Sequence, residues 1–336
     1  DPIVYDWIEI ANNTNQEIDL SGYSITDDAD EVTKWTFPDG AIIPPLNNMV
    51  LFASGLDIAN PELDEHGAYH TNFRLSSNAA YLGLFNTSAT LVDQENYPDQ
   101  ITNVSYGYFG DRFEFMAEPT PGVPNVPGKS GIAETPQITQ PSQSFTEDFL
   151  VEISTDAEGH EIRFTLDGSI PDENSALYDG PISVSDSLQI RARAYHENRV
   201  ASQIAGESYL KISQDAIDFR SHLPIVVVEN FDGTRPSERQ TDAFLAIFDV
   251  STETGESSLL DTPHVASRIG IKVRGQSSSG DTKTPYRVET RDQHDRDLDV
   301  APLGLPAESD WVLHGPWSDR TLVHNTISYE LGSEVG

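Results

Sequence analysis

The stretch EIRFTLDG, residues 161–168, indicates the fold class of the chain. Its apolar residues Ile162, Phe164 and Leu166 alternate with polar ones. Since successive side chains of a β-strand point to opposite faces of the sheet, this alternation predicts a half-buried strand. We therefore expect a chain that is mainly β.

Residues 1–126 and 136–212 repeat this pattern of short apolar runs separated by turns. The strand candidates are DWIEIAN, NMVLFASG, AAYLGLFN and VSYGYFG in the first region, and FLVEISTD, LQIRARAYH and GESYLKI in the second. Residues 127–135 form the connection, next to a stretch rich in proline and glycine that has the composition of a linker. Short strands at this spacing predict two β-sandwiches in tandem.

From residue 217 the pattern changes. LPIVVVENF and AFLAIFDV are apolar enough to lie inside a sheet, and WSDRTLVHNTISYELGSEVG predicts the one clear helix, with Ser318 or Asp319 as its N-cap. Every fourth residue of that helix is apolar. These residues are Val323, Ile327, Leu331 and Val335. Residues 217–336 are thus predicted as a partial α+β domain, and we expect the chain to be a mature or excised piece.

The charge of the chain limits the classes of partner that it can bind. It has 55 acidic and 20 basic residues, a net charge of −35, and no cysteine. Such a chain repels phosphate backbones and anionic lipid, so nucleic-acid and membrane-surface binding are disfavoured. We expect no membrane insertion, because no apolar run is long enough for a membrane helix. The scattered acids fit either a salty habitat or calcium held at loop carboxylates.

The stretch VRGQSSSGDTKTPYRVE, residues 273–289, places a glycine- and serine-rich loop before Lys283. It is not a Walker A loop, because the lysine comes two places too late and a strand follows instead of a helix. One interpretation is a hairpin with a surface lysine. The other is a kinase-like small lobe, in which loop N–H groups approach phosphates and a strand lysine supplies a charge. Glu330, on the predicted helix, could pair with that lysine or lie exposed.

Candidate metal sites and other catalytic motifs are few. Asp27, Asp28 and Asp30 lie in a turn and are weak calcium candidates, because they lack the EF-hand spacing. His66 and His70 are four residues apart in a predicted loop, which is a poor zinc pattern. No G-x-S-x-G motif is present, so a hydrolase triad has no anchor.

Longer motifs resemble known families. DWIEIANNTNQEIDLSGYSITDD, KWTFPDGAIIPP and HTNFRLSS make residues 1–126 similar to the lamin-tail domain in its bacterial secreted form. FTEDFLVEISTD and EIRFTLDGSIPDENSALYDGPISV make residues 136–212 similar to the chitobiase/β-hexosaminidase C-terminal type of domain. Both resemblances imply immunoglobulin-like sandwiches without catalytic activity. Carbohydrate binding by residues 136–212 rests only on the association of that domain with glycosidases.

Residues 223–336 resemble the beginning of the spore-coat-protein-H-like (CotH) kinase domain. The motifs are IKVRGQSSSGDTKTPYRVETRD and LGLPAESDWVLHGPWSDRTLVHN. The resemblance implies the small lobe of an atypical protein kinase that transfers phosphate from ATP, with Mg²⁺, to protein serine or threonine. The nucleotide-binding candidates that carry over are Arg274, Ser277, Ser278, Ser279, Lys283 and Glu330. The metal-binding and catalytic residues are expected in a C-terminal lobe, so no catalytic residue is assigned and the chain alone is expected to be inactive.

Two hypotheses of function follow. In the first, the chain is part of a secreted bacterial CotH-like kinase that acts on a secreted or cell-surface protein. In the second, it is an extracellular surface or matrix interaction protein with a degenerate kinase-like region, and the two sandwiches carry the binding. Binding of a cell-surface glycan by residues 136–212 is a third alternative. Thr284, where family members commonly have a second lysine, and His324, where they have arginine, favour the second hypothesis slightly.

Overall fold

The computed structural model describes residues 5–231, 233–275, 279, 282–317, 319 and 321. Within them the chain is mainly β, as predicted, and its only helices are the 3-10 turns Pro61–Leu63 and Pro302–Gly304. The chain divides into two compact units, Asp1–Ile132 with Glu197–Val200, and Ala133–His196 with Ala201–Gly336. The domain boundaries given above stay predictions.

Four small sheets form the first unit. Its strands are β1 (Trp7–Ala11), β2 (Ile18–Asp19), β3 (Ser24–Thr26), β4 (Trp35–Thr36), β5 (Ile42–Ile43), β6 (Asn48–Phe52), β7 (Tyr69–His70), β8 (Ala80–Phe85), β9 (Leu91–Tyr97), β10 (Ser105–Phe109) and β11 (Arg112–Met116). The strand orders are β1-β6-β7, β4-β3-β8-β9, β2-β5 and β10-β11. All neighbours are antiparallel except β6 and β7.

The core of this unit contains apolar side chains from several of these sheets. It contains Ile8, Leu20, Ile25, Trp35, Phe37, Ala41, Ile43, Leu51, Ala53 and Phe73. Each of its leucine, isoleucine and phenylalanine side chains contributes about 1.5–3 kcal/mol when it leaves water. The arrangement fits an immunoglobulin-like sandwich.

The first part of the second unit is another set of sheets that fits an immunoglobulin-like sandwich. Its strands are β12 (Gln137–Ile138), β13 (Gln143–Phe145), β14 (Phe149–Val151), β15 (Ile153–Ser154), β16 (Glu161–Thr165), β17 (Ala176–Leu177), β18 (Ile182–Val184), β19 (Leu188–Tyr195) and β20 (Ala205–Lys211). The large sheet has the order β13-β20-β19-β16-β17, beside the pairs β12-β15 and β14-β18.

The alternation in EIRFTLDG is confirmed for β16 but ends earlier than predicted. Ile162 is buried and Phe164 packs against the same core. Leu166 lies beyond the end of the strand and is 42 % exposed. The turn that follows carries this side chain out of the sheet face.

The rest of the second unit is built around one five-stranded antiparallel sheet. The strands of this region are β21 (Arg220–Ser221), β22 (Ile225–Glu229), β23 (Thr241–Phe248), β24 (Ser257–Ser258), β25 (Val265–Val273), β26 (Tyr286–Arg291) and β27 (Asp310–Leu313). β21 and β24 form a separate antiparallel pair. The sheet has the order β22-β23-β25-β26-β27. β22 is one of the two edge strands of this sheet. Its side chains are therefore less buried than the apolar run LPIVVVENF predicted, and Val226 is exposed.

Strand β23 shows why this sheet needs an almost continuous apolar run. Ala243, Leu245 and Ile247 belong to one core. The alternating residues, of which Phe244 and Phe248 are the largest, belong to a second core together with residues at the end of β20. Both faces of the strand are therefore covered, which is why polar residues are absent between 243 and 248. The helix predicted from Ser318 onward lies outside the described residues, apart from Asp319 and Thr321, so the α+β lobe receives no support from the fold.

Candidate functional site

Three loops meet at one end of the five-stranded sheet. The loop from β25 to β26 closes with a backbone hydrogen bond, 2.9 Å long, from Arg274 to the carbonyl of Pro285. The loop before β23 joins it through Val273, whose N–H donates to the Ser237 carbonyl at 2.7 Å. The Arg235 side chain also donates to the Thr282 carbonyl at 3.3 Å. Residues 235–237 thus contact both ends of the glycine- and serine-rich loop, at Val273 and at Thr282, although they are far from it in the sequence.

The third loop follows β27. The antiparallel register places Leu313, the last residue of β27, opposite Tyr286, the first of β26. The chain leaving β27 therefore passes beside the chain entering β26. At Gly315 the two are so close that a Cβ atom would overlap the Lys283 carbonyl oxygen. A glycine is required here by the close approach of two backbones, since its own φ is not in the left-handed region.

The loops bring positive charge to this end of the sheet. Arg235, Arg274 and Lys283 are all exposed. In a chain with a net charge of −35, these loops thus carry three exposed cations at one sheet end. Exposed cations on loops beside a glycine with positive φ, Gly275 at 89°, are suited to an anionic ligand such as phosphate.

The structure places some of the predicted nucleotide-binding residues and leaves others outside its description. Arg274 directly follows β25, and Lys283 lies in a bend three residues before β26. The lysine is therefore not on a strand, whereas the kinase-like interpretation expects a lysine that is. Ser279 is half-buried. Ser277, Ser278 and Glu330 lie outside the described residues, so the Lys283–Glu330 pair stays a prediction.

Arg235 and Gly315 were not predicted from the sequence. Arg235 belongs to the turn-rich stretch FDGTRPSERQ, which carries no recognisable motif. Gly315 stands in HGPW, which was quoted for its resemblance only. Neither is near Lys283 in the sequence, and only the pairing of the strands brings them together.

Two of the three calcium candidates, Asp27 and Asp28, make other contacts in the structure. Asp27 forms an ion pair with Lys34 at 2.8 Å. Asp28 accepts a hydrogen bond of 2.9 Å from the backbone of Asp30, which is a local turn contact. Over the residues that the structure describes, we find no group of three or more His, Asp or Glu side chains that could hold a metal ion. Calcium binding stays a prediction.

His70 is buried in the first unit, where both of its ring nitrogens face polar side chains. Its Nδ1 atom lies 2.8 Å from the Ser54 hydroxyl, and its Nε2 atom lies 3.1 Å from the Asp64 carboxylate. The three side chains resemble a hydrolase triad in distance alone. Ser54 and His70 are each 1 % exposed, so no substrate carbonyl could reach the hydroxyl, and the arrangement stabilises the fold.

The second unit also contains a buried polar cluster, which joins β19, β25 and the turn after β26. Arg191 and Arg268 are almost completely buried and share the Asp295 carboxylate, at 3.2 Å and 2.6 Å. Arg268 also donates to the Gln189 side chain at 2.6 Å. Burial raises the pKa of Asp295, but the hydrogen bond from Arg268 and the two positive charges outweigh it, and the pKa is lowered. This cluster fixes the five-stranded sheet to the sheet that contains β19.

Comparison with known families gives three separate matches. The family model Lamin Tail Domain matches residues 1–99, Fn3 associated matches residues 151–209, and CotH kinase protein matches residues 271–336. No curated protein matches the chain. Among the described residues, no helix has the length and apolar character needed to span a bilayer.

These matches confirm the lamin-tail and CotH resemblances. The match in the middle region is of the Fn3-associated type, so the chitobiase-type assignment stays a prediction. The CotH match contains Arg274, Lys283 and Gly315, and Arg235 lies before it. It thus covers two of the three loops that meet at the sheet end.

Proposed function

We propose that residues 223–336 form the nucleotide-binding part of a secreted CotH-like protein kinase. In this proposal the enzyme transfers phosphate from ATP to serine or threonine of a secreted or cell-surface protein. The loop that contains Ser277, Ser278 and Ser279 covers the phosphates, while Arg274 and Lys283 hold them. Glu330 orients Lys283.

One observation carries the proposal. Within an acidic chain, loops separated by many residues bring Arg235, Arg274 and Lys283 to the same sheet end, and the CotH match covers two of these loops. Guanidinium and ammonium groups bind phosphate oxygens through charge-assisted hydrogen bonds, which are stronger than neutral ones. Surrounding negative charge makes such a patch selective, because an anion is repelled everywhere else.

The residues that would hold Mg²⁺ are not assigned. Mg²⁺ in a phosphoryl-transfer site takes carboxylate and phosphate oxygens as ligands. Within the described ranges, no group of three carboxylate or imidazole side chains is gathered at the sheet end. The proposal therefore includes no step through a metal ion.

A specific observation favours the second candidate function, an extracellular interaction protein with a degenerate kinase-like region. Lys283 lies off β26, in a bend, and Thr284 stands beside it. In protein kinases the corresponding lysine is held by a strand, which fixes its position toward the phosphates. A lysine on a loop can bind phosphate but is less well positioned for transfer.

The two candidates are separated by ATP binding to the 336-residue chain, measured by isothermal titration calorimetry with and without Mg²⁺. We expect binding in the chain as it is, and binding weakened about tenfold by Lys283→Ala and by Arg274→Ala, because each removes a charge-assisted contact. Lys129→Ala is the control, because it removes the same charge from an exposed position in the first unit.

Absence of ATP binding would contradict the proposal and favour the interaction protein. So would an equal loss in all three variants, because the effect would then be one of net charge. Loss of binding confined to Lys283→Ala and Arg274→Ala would justify a search for the protein substrate.

A further inference from the structure

Strands β10 and β11 form a ribbon with aromatic side chains on one face. The register places Tyr106 opposite Phe115 and Tyr108 opposite Phe113, so that all four rings lie on the same side. The ring centres of Tyr108 and Phe113 are 3.9 Å apart, and those of Tyr106 and Phe113 are 5.0 Å apart in a stacked arrangement. We call these four residues the aromatic face. Tyr108 is 56 % exposed, Tyr106 and Phe113 are half-buried, and Phe115 is buried, so the first three rings form the accessible part of this face.

The opposite face of the ribbon is fixed to the rest of the first unit. Glu114 accepts hydrogen bonds from Arg112 at 2.7 Å and from the backbone of Gly128 at 2.8 Å. The Asn125 side chain donates to the Tyr108 carbonyl at 2.8 Å, and Met116 is buried. The aromatic face is therefore held in position by contacts behind it. The exposed rings therefore belong to a hydrogen-bonded pair of strands and not to a loop.

The aromatic face continues into a shallow groove beside it. Tyr81, Tyr97 and Asn96 line this groove together with Tyr106. A Cβ at position 83 would overlap the Tyr81 side chain, so the absence of a side chain at Gly83 lets that ring lie along the strand. The groove therefore adds a further flat ring, hydroxyl groups and one exposed amide to the aromatic face.

We infer that the aromatic face and the adjoining groove bind a neutral polysaccharide. The flat rings suit the C–H faces of sugar rings, because both are apolar and planar enough to stack. Tyrosine hydroxyls, the Asn96 amide and the neighbouring Glu95 carboxylate can pair with sugar hydroxyls, which donate and accept hydrogen bonds. Exposed aromatic surface of this kind marks interaction sites in otherwise polar surfaces.

Charge selects the class of polysaccharide. Asp93, Glu95 and Asp111 lie on the same two hairpins as the rings, and the whole chain carries a charge of −35. Polymers with carboxylate, sulfate or phosphate groups are repelled by this surface. A neutral glycan is not repelled by this surface, and the carboxylates can accept hydrogen bonds from its hydroxyl groups. The site lies in the first unit, away from residues 136–212, where the sequence had suggested sugar binding by association only.

The inference is independent of the kinase proposal and is tested by affinity gel electrophoresis of the full chain. The gels contain hydroxyethylcellulose, laminarin or mannan as neutral polysaccharides, and heparin as an anionic one. We expect at least one neutral polymer to slow migration and heparin to have no effect. Tyr108→Ala and Phe113→Ala should each weaken the retardation about tenfold, because each removes a stacking ring.

Phe109→Ala is the matched control, since Phe109 is also an exposed aromatic residue of β10 but points to the other face of the ribbon. Its retardation should equal that of the unmodified chain. Tyr108→Phe keeps the ring, so it should bind far better than Tyr108→Ala, and thermal unfolding confirms that each variant is folded. Three outcomes would overturn the inference: migration unaffected by all three neutral polymers, equal loss in Phe109→Ala, or retardation by heparin.

Discussion

Gly315 is the residue at which the chain leaving β27 passes closest to the loop that carries Lys283. Gly315→Ala should lower the free energy of unfolding by about 1–3 kcal/mol, because the new methyl group forces two backbones apart. It should also weaken ATP binding, since it displaces Lys283. Urea unfolding and calorimetry measure the two effects. Gly180→Ala is the control, because nothing lies near a Cβ at that position. Equal stability of the two variants would contradict the close approach.

Asp295 is the single carboxylate between two buried arginines. Asp295→Asn should lower the free energy of unfolding by about 3 kcal/mol near neutral pH, because it leaves two buried positive charges without a negative charge beside them. Asp148→Asn removes an exposed ion pair with Lys211 and should cost less than about 1 kcal/mol. Urea unfolding of both variants beside the unmodified chain measures the difference. Similar losses in the two would contradict the importance of the buried cluster.

The same cluster predicts a dependence on pH. The pKa of Asp295 is lowered in the folded state, so its contribution to stability is present above its ordinary value, 3.8, and is lost as the pH falls through the lowered pKa. The gap between the unmodified chain and Asp295→Asn should therefore be full near neutral pH and shrink at a pH below that value. Urea unfolding of both proteins along a pH series measures it. A gap that grows on acidification would contradict the assignment.

At the scale of elements, β25 is central to the five-stranded sheet and β22 is its edge. Ile269→Ala should lower the free energy of unfolding by about 2–4 kcal/mol, because Ile269 is 1 % exposed and the substitution leaves a cavity. Val226→Ala, on the exposed edge, should cost less than about 1 kcal/mol. Denaturant unfolding compares the two, and equal costs would contradict the position given to β25.

Strands with clear apolar patterns could be predicted from the sequence. Strands without such a pattern, which form only because a neighbouring strand pairs with them, could not. DWIEIAN, NMVLFASG and AFLAIFDV each contain a strand in the structure. β9 was not predicted, because its residues 91–94 are all exposed and β8 alone pairs with it. β11 was missed as well, because a tight turn at Gly110 joins it to β10 and its pattern is too short to be distinctive. The sequence therefore predicted the strand that carries Tyr106 and Tyr108, but not the strand that places Phe113 and Phe115 beside them.

At the scale of the whole molecule, motif resemblance identified two of the three matched families, and the assembly of the sheet end came only from the structure. Arg235, Lys283 and Gly315 are brought together by antiparallel pairing over long stretches of chain, which no local pattern reports. The buried pair Arg191 and Arg268 was equally unpredictable, since arginine in a strand usually indicates a solvated face.

The net charge of −35 leads to a prediction for the whole chain. Its carboxylates repel one another in the compact state, and salt screens that repulsion. The midpoint of thermal unfolding should therefore rise when NaCl is increased to about 1 M, where the Debye length is about 3 Å. Differential scanning calorimetry measures it, with CaCl₂ at matched ionic strength as the comparison. A midpoint that falls with NaCl would contradict the screening argument, and a much larger rise with calcium would reveal a specific calcium site.

The central claim is that the three loops at the end of the five-stranded sheet form one anion-binding site for ATP. Hydrogen–deuterium exchange of the chain with and without ATP tests it most directly, because it reports each loop separately. The account predicts slower exchange in peptides covering 231–240, 273–286 and 313–317, and unchanged exchange in peptides covering the aromatic face. Protection that is absent from all three loops, or that falls elsewhere in the chain, would contradict it.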